Sequence, residues 1–242
     1  MDKSQLKSLL EENMNHPQVI HGIFNWCDRW CDRCKKTDYC TVYKTSACLT
    51  SGSPDDFFKS LSMIFEATIE ILQEYIQENE IDLESLEDSD IESDYDRKKY
   101  LIRDDEGLNL AKQYGKMAKH WLDSLKKKHP YGMEVRMQDE RLADSVEVIL
   151  WYQYLFEMKL TSALMAQKYE EEERSNPYDS LGNAKLLLVS IERNIAAWGY
   201  LYQKFIEDED KILDILVCLQ RLSAKIEQVF PEARAFIRTG LD

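Results

Sequence analysis

The sequence predicts an all-α protein, a multi-helix bundle of four or five long helices with a small N-terminal cysteine-rich metal-binding segment. Three observations predict it. Glycine (8) and proline (5) are scarce among 242 residues, about half or less of ordinary usage, which argues against loop-rich β-sandwiches and Gly-rich nucleotide-binding folds. Apolar residues recur at three- and four-residue steps over long stretches, the period of a helix face. Aromatic residues reach 11% and hydrophobic residues 44%, enough to fill a core and exclude wholesale disorder.

The elements follow in chain order. Residues 2–15 read as a short amphipathic helix. Pro17 stands where a second helix can begin, and Ile20, Ile23, Phe24, Cys27 and Cys31 continue at helical spacing. Cysteine-rich sequence runs on to about residue 48. SGSPDD at 51–56 is a linker and a helix start, with Ser53 as cap and Pro54 in the first turn. The first long helix covers roughly 54–79 and places Phe58, Leu61, Phe65, Leu72 and Ile76 on one apolar face. An acidic loop, 80–103, interrupts. The second long helix is 105–128, with Leu108, Ala111, Tyr114, Ala118, Leu122 and Leu125 in phase. HPYG at 129–132 is a turn. The third is 139–173, the fourth 182–207 and the fifth 209–229. Short connections imply antiparallel neighbours. The third helix carries apolar residues on nearly every side, so it is expected to be the buried centre of the bundle. The domain reading is therefore an N-terminal segment, 1–50, and a bundle, 54–242.

The formal net charge is −14, which repels nucleic acid unless a local patch overrides it. Residues 80–96 supply nine carboxylates and no Lys or Arg. Without that block the chain carries only −5. The alternating Asp88, Asp90, Glu92, Asp94 and Asp96 do not form an EF-hand, because Ser93 stands where glycine is needed and Lys99 where glutamate is. A solvated acidic loop is expected. No secretory signal opens the chain, and no uncharged apolar run approaches the ~18–20 residues that span a bilayer. A cytoplasmic location follows, where clustered cysteines are metal ligands or redox groups more often than disulfides.

Five of the six cysteines fall between residues 27 and 48, and four are spaced Cys27-x3-Cys31-x2-Cys34-x5-Cys40. If a helix runs through this segment, Cys27 and Cys31 lie one turn apart on one face. Four converging thiolates suit tetrahedral zinc or a cubane iron–sulfur cluster. Cys48, His16 and His21 are alternative ligands. Trp26 and Trp30 flank the site and can shield it, or serve as ordinary core residues. Arg29, Arg33, Lys35, Lys36 and Lys44 outnumber Asp28, Asp32 and Asp38 by two. That surplus favours thiolates or an acidic partner, or is simply a solvated mixed-charge face.

The Cys31-x2-Cys34-x5-Cys40 run resembles the end of the [4Fe–4S] loop of endonuclease III-type DNA glycosylases and the cluster loop of RecB-type nucleases. In the glycosylases the first cysteine precedes by six residues, whereas Cys27 precedes by three. The resemblance covers fourteen residues and implies a [4Fe–4S] cluster bound by Cys27, Cys31, Cys34 and Cys40. It implies no DNA repair activity, because the catalytic features of those enzymes have no match in the chain. Cys27-x3-Cys31-x2-Cys34 also matches the radical S-adenosylmethionine triplet, which sits on an α/β barrel that this sequence does not predict. The stretches WCDRWCDRC, VEVILWYQ (146–153) and AKLLLVSIERNIAAW (184–198) resemble a family of bacterial helical proteins that brings no activity with it.

Other chemistry has less support. A ferritin-type di-iron site needs Glu-x-x-His, which does not occur. Glu66, Glu70, Glu74 and His120 are expected in solvent. Glu147, Gln153, Glu157 and Lys159 on the third helix and Glu192 on the fourth are candidate buried polar groups. A Glu147–Glu192 pair suits a small pocket, or either acid pairs with Lys159 or Arg193 in an internal salt bridge. No Ser-His-Asp arrangement, P-loop or dinucleotide fingerprint is present. The leading expectation is a cytoplasmic iron–sulfur protein with a redox, electron-transfer or sensing role and an unidentified redox or protein partner. The alternatives are an interaction protein with a structural four-cysteine Zn2+ site, and an enzyme or ligand-binding bundle with its pocket at Glu147 and Glu192.

Overall fold

A computed structural model describes residues 3–46, 54–81, 91–128, 139–172 and 178–242. The fold is all-α, with no strand among the described residues. The helices are α1 (Lys3–Asn15), α2 (Thr41–Ser46), α3 (Pro54–Glu78), α4 (Ile91–Ile102), α5 (Glu106–Lys128), α6 (Glu140–Tyr152), α7 (Leu155–Glu170), α8 (Asp179–Lys204) and α9 (Glu209–Val229). Short 3-10 turns occupy Cys31–Arg33, Thr37–Tyr39 and Ile206–Asp208. No described helix is long and apolar enough to cross a membrane.

The chain divides into two compact units: Met1–Phe24, Arg29–Glu92 and Thr239–Asp242 form the first, Asn25–Asp28 and Ser93–Arg238 the second. In the first unit α1 packs on α3. Leu6, Leu10 and Ala67 are buried between them, with Met63, Ile64 and Ile71 packed around. Lys3 reaches Glu70 at 2.5 Å and Lys7 reaches Glu74 at 2.5 Å. The three glutamates of α3 are largely solvent-exposed, as expected, and also flank the α1 contact: Glu66 lies 3.9 Å from Lys3. The face of α3 expected to be its core, with Phe58, Phe65 and Leu72, is exposed instead. Helix α3, assigned to the bundle by its sequence pattern, belongs with α1.

In the second unit α8 is the central helix. It packs on α6, α7 and α9, while α5 packs on α7 and α9. Leu186, Leu187, Leu188, Ile191, Trp198 and Leu201 on α8 are almost wholly buried. The expected centre, 139–173, is instead two helices, α6 and α7, with a break at Gln153 and Tyr154. No proline or glycine stands there. The break brings the Gln153 carbonyl against Gly115 of α5, where a Cβ would lie 3.0 Å from that oxygen. Leu150, Trp151 and Met158 are consequently exposed, so this segment is not buried on all sides.

Part of the expected acidic loop is helix. Residues 82–90 lie outside the described residues, but α4 follows them. Its Lys98 is buried, with Nζ 2.9 Å from Asp94 Oδ2 and 2.6 Å from Glu172 Oε2. The ammonium also sits 4.4 Å from the centre of the Tyr169 ring. Asp94 is thus a structural ion-pair partner, not a loop charge.

Candidate metal centre

The helix expected through Cys27 and Cys31 does not form. Residues 16–30 run as turns and irregular backbone. Gly22 has φ +75°, and Arg29, between the two cysteines, has φ +58°. Left-handed backbone at a non-glycine residue ends any continuous helix. Cys27 and Cys31 are therefore not stacked one turn apart.

In the first unit, two successive 3-10 turns each end on a cysteine. The Cys34 N–H donates to the Cys31 carbonyl at 3.1 Å, and the Cys40 N–H to the Thr37 carbonyl at 3.1 Å. The Lys36 N–H donates to Cys34 Sγ at 3.4 Å. Cys31, Cys34 and Cys40 are all half-buried and outside any disulfide. The cations around them lie over rings: Arg33 is 4.2 Å from the Trp30 ring centre, Lys36 5.8 Å from that of Tyr39 and Arg29 5.6 Å from that of Phe24. Trp30 is buried.

In the second unit, Cys27 is half-buried between two anchored neighbours. Trp26 lies on α8 at Gly182, where a Cβ would come within 2.4 Å of the indole. Its Nε1 donates to Asp179 at 3.2 Å, its ring meets Phe236 edge-on at 5.1 Å, and Arg238 donates to its carbonyl at 3.4 Å. On the other side of Cys27, Asp28 Oδ2 accepts from the Tyr152 hydroxyl at 2.6 Å and from Arg193 Nη1 at 2.9 Å. Arg193 also donates to the Tyr152 oxygen at 2.8 Å. The Trp151 indole donates to the Asp28 carbonyl at 3.0 Å. Burial, and then the hydrogen bond to Asp28, push the Tyr152 phenol up to about 12. It is a positioning group, neutral at physiological pH.

Sequence reasoning missed this clamp. The signal was available: a tyrosine on a buried face requires a hydrogen-bond partner for its hydroxyl. The three stretches read together for their resemblance, WCDRWCDRC, VEVILWYQ and AKLLLVSIERNIAAW, supply Asp28, Trp151 with Tyr152, and Arg193.

The remaining candidates separate. Glu147 and Glu192 are both exposed, and Glu192 pairs with Arg234 at 2.6 Å. Glu157 is half-buried, as is Lys159, which reaches Asn183 at 3.4 Å. The buried pocket expected around Glu147 and Glu192 is not formed, because α6 turns Glu147 outward. Gln153 is buried as expected. Asn194 is fully buried inside the bundle and accepts from the Tyr114 hydroxyl at 2.5 Å. Burial pushes the Tyr114 phenol well above its ordinary range. Cys218 fills the core of α9, and burial pushes its thiol up. Cys48 lies outside the described residues. His16 and His21 are solvent-facing or half-buried on the loop before the cysteines. An open groove of about 270 Å³ between α5 and α9 is lined by Lys116, Met117, His120, Trp121, Lys211 and Asp214, together with Ile215. His120 is exposed at its rim, as expected.

Among the described residues, no group of three or more His, Cys, Asp or Glu side chains stands in metal-binding geometry. Thiolates are the donor type that soft metals prefer, and each of these cysteines is half-buried. Their sulfurs are not already gathered into a coordination sphere. Compared with protein-family models, curated proteins and solved structures, the chain matches none.

Proposed function

We propose that this protein is a cytoplasmic iron–sulfur protein with a redox, electron-transfer or sensing role, in which Cys27, Cys31, Cys34 and Cys40 ligate a [4Fe–4S] cluster. The observation that carries the reading is the pair of cysteine-terminated turns, Cys31–Cys34 and Thr37–Cys40, with the Lys36 N–H bonded to Cys34 sulfur. Tight turns deliver half-buried sulfurs without consuming them in disulfides. The fourth ligand, Cys27, stands between residues fixed by Tyr152, Arg193 and Gly182. When bound, a cluster of this kind supplies one-electron chemistry, its potential set by burial and by hydrogen bonds to sulfur. The Lys36 N–H is one such bond. Thiolate sites are commonly assembled by the metal itself, so binding and local folding are coupled. A net charge of −14 disfavours a nucleic-acid partner, and the proposed partner is an unidentified redox or protein partner.

The same turn favours a second reading. A Cys-x2-Cys pair in one tight turn with an N–H donated to sulfur also suits a structural zinc, which would make the chain a non-catalytic interaction protein. Titration of reduced, metal-free protein separates the two. On the first reading, iron and sulfide restore a coloured, folded species. Cys31→Ser and Cys34→Ser prevent that recovery, while Cys218→Ser leaves it intact. Stoichiometric zinc uptake with no coloured species would favour the second.

A further inference from the structure

We infer that the groove between α5 and α9 binds a small zwitterion with an apolar body, of the class of the apolar α-amino acids. The groove holds about 270 Å³ and opens to solvent. Pockets for drug-sized ligands hold roughly 300–1,000 Å³, so this one suits a smaller molecule. Its floor is apolar. Trp121 is 2% exposed, Ile215 is almost wholly buried and Met117 is half-buried beside them.

Two observations select the occupant. The first is an orphaned donor. Trp121 Nε1 is buried and, among the described residues, has no hydrogen-bond acceptor. The ring is held edge-on against Trp198 at 5.1 Å and Phe205 at 5.3 Å, so it is not free to turn toward water. Native proteins seldom leave a buried donor unpaired unless something outside the chain satisfies it. A carboxylate, all acceptor, is what this donor lacks. The second is charge. The α5 wall carries Lys116 and His120, and the α9 wall carries Asp214. Among the described residues, Lys116 and Asp214 have no ion-pair partner and do not reach each other. The other charges nearby are already matched: Lys119 by Asp123 at 2.7 Å and Lys211 by Asp208 at 2.6 Å. A free cation and a free anion on opposite walls of an apolar floor complement a molecule that carries both charges. An amino acid turns its carboxylate to Lys116, His120 and the Trp121 N–H, its ammonium to Asp214, and its side chain to Met117 and Ile215. His120 offers the carboxylate an N–H in either protonation state. A plain carboxylate leaves Asp214 unanswered, and a plain amine leaves Lys116 and Trp121 so.

Calorimetric titration of the full chain with L-leucine, L-methionine and L-phenylalanine tests this, with the assigned indole N–H resonance of Trp121 followed by NMR. At least one of the three is expected to bind saturably and to move the Trp121 resonance, leaving that of Trp26 in place. Analogues of the binder that lack one charge (for L-phenylalanine, hydrocinnamate and phenethylamine) are expected to bind about ten-fold more weakly. Asp214→Asn is expected to remove the advantage of the amino acid over its des-amino analogue. Lys116→Gln is expected to weaken both of those and to spare the amine. Both side chains are exposed, so helical circular dichroism is expected to stay unchanged in either variant. No saturable binding of any of the three at millimolar concentration would overturn the inference. So would binding that leaves the Trp121 resonance unmoved, or that is indifferent to both substitutions. The inference does not rest on the cysteines: Cys31→Ser is expected to bind as wild type does.

Discussion

Asp28 shows what a single carboxylate contributes when its surroundings are fixed. It receives the Tyr152 hydroxyl, the Arg193 guanidinium and, on its carbonyl, the Trp151 indole. Removing the hydroxyl with Tyr152→Phe leaves Asp28 and Arg193 joined but takes out the buried member of the three. The expected cost is about 1–2 kcal/mol, because hydrogen bonds to charged groups exceed neutral ones. Urea denaturation reads it as a lower midpoint at unchanged slope. Gly182→Ala tests the other anchor. A Cβ there meets the Trp26 indole at 2.4 Å, so the ring must move, at about 1–3 kcal/mol. The cost is expected to shrink in a Trp26→Ala background, a coupling that two independent sites would not show. The tetrapeptide Trp-Cys-Asp-Arg occurs twice in succession, at 26–29 and 30–33. The first aspartate is clamped, while the second, Asp32, is exposed. Local sequence cannot distinguish identical tetrapeptides; the tertiary partners do.

At the scale of elements, the helices most legible in the sequence are those whose ends carry local signals. Proline at 54 opens α3 as expected, and α9 is observed as Glu209–Val229, ending before Pro231. The apolar face read for α5, with Leu108, Ala111, Tyr114, Ala118, Leu122 and Leu125, is buried as expected, whereas the face read for α3 is not. Phe58, Phe65 and Leu72 make the more hydrophobic side of α3, yet the smaller Ala67 lets α1 approach the other side. The break between α6 and α7 left no mark in the sequence: no proline or glycine stands at Gln153 and Tyr154, and the glycine that the Gln153 carbonyl approaches, Gly115, lies some forty residues away. Cysteine periodicity misled for a related reason. Spacing alone fits a helix through Cys27 and Cys31, but left-handed backbone at Arg29 intervenes. Asp139, the N-cap of α6, accepts from the Leu142 N–H and from Tyr200, and pairs with Lys204. The Lys204 ammonium first, then the Tyr200 hydroxyl, hold its carboxyl down at about 2. A depressed carboxylate contributes stability that is present above its ordinary value of 3.8 and is lost as pH falls through about 2. Wild-type stability is therefore expected to decline over that interval, and Asp139→Asn to flatten the decline. Acid titration followed by α-helical circular dichroism reads both.

For the whole molecule, the all-α class was plain from composition and periodicity, whereas the assignment of helices to units was not. Both were governed by the same fact: periodicity reports that a face is apolar, never what covers it. The cysteines illustrate the other limit. Their spacing suggests soft-metal donors, but coordination depends on backbone turns and on any metal that completes them. Anaerobic purification, followed by an absorption spectrum and metal analysis of the full chain, tests the central claim most directly. The account predicts a broad band near ~400 nm and about four irons per chain, both lost in Cys31→Ser. Colourless protein holding about one zinc, or no metal at all after strictly anaerobic handling, would contradict it.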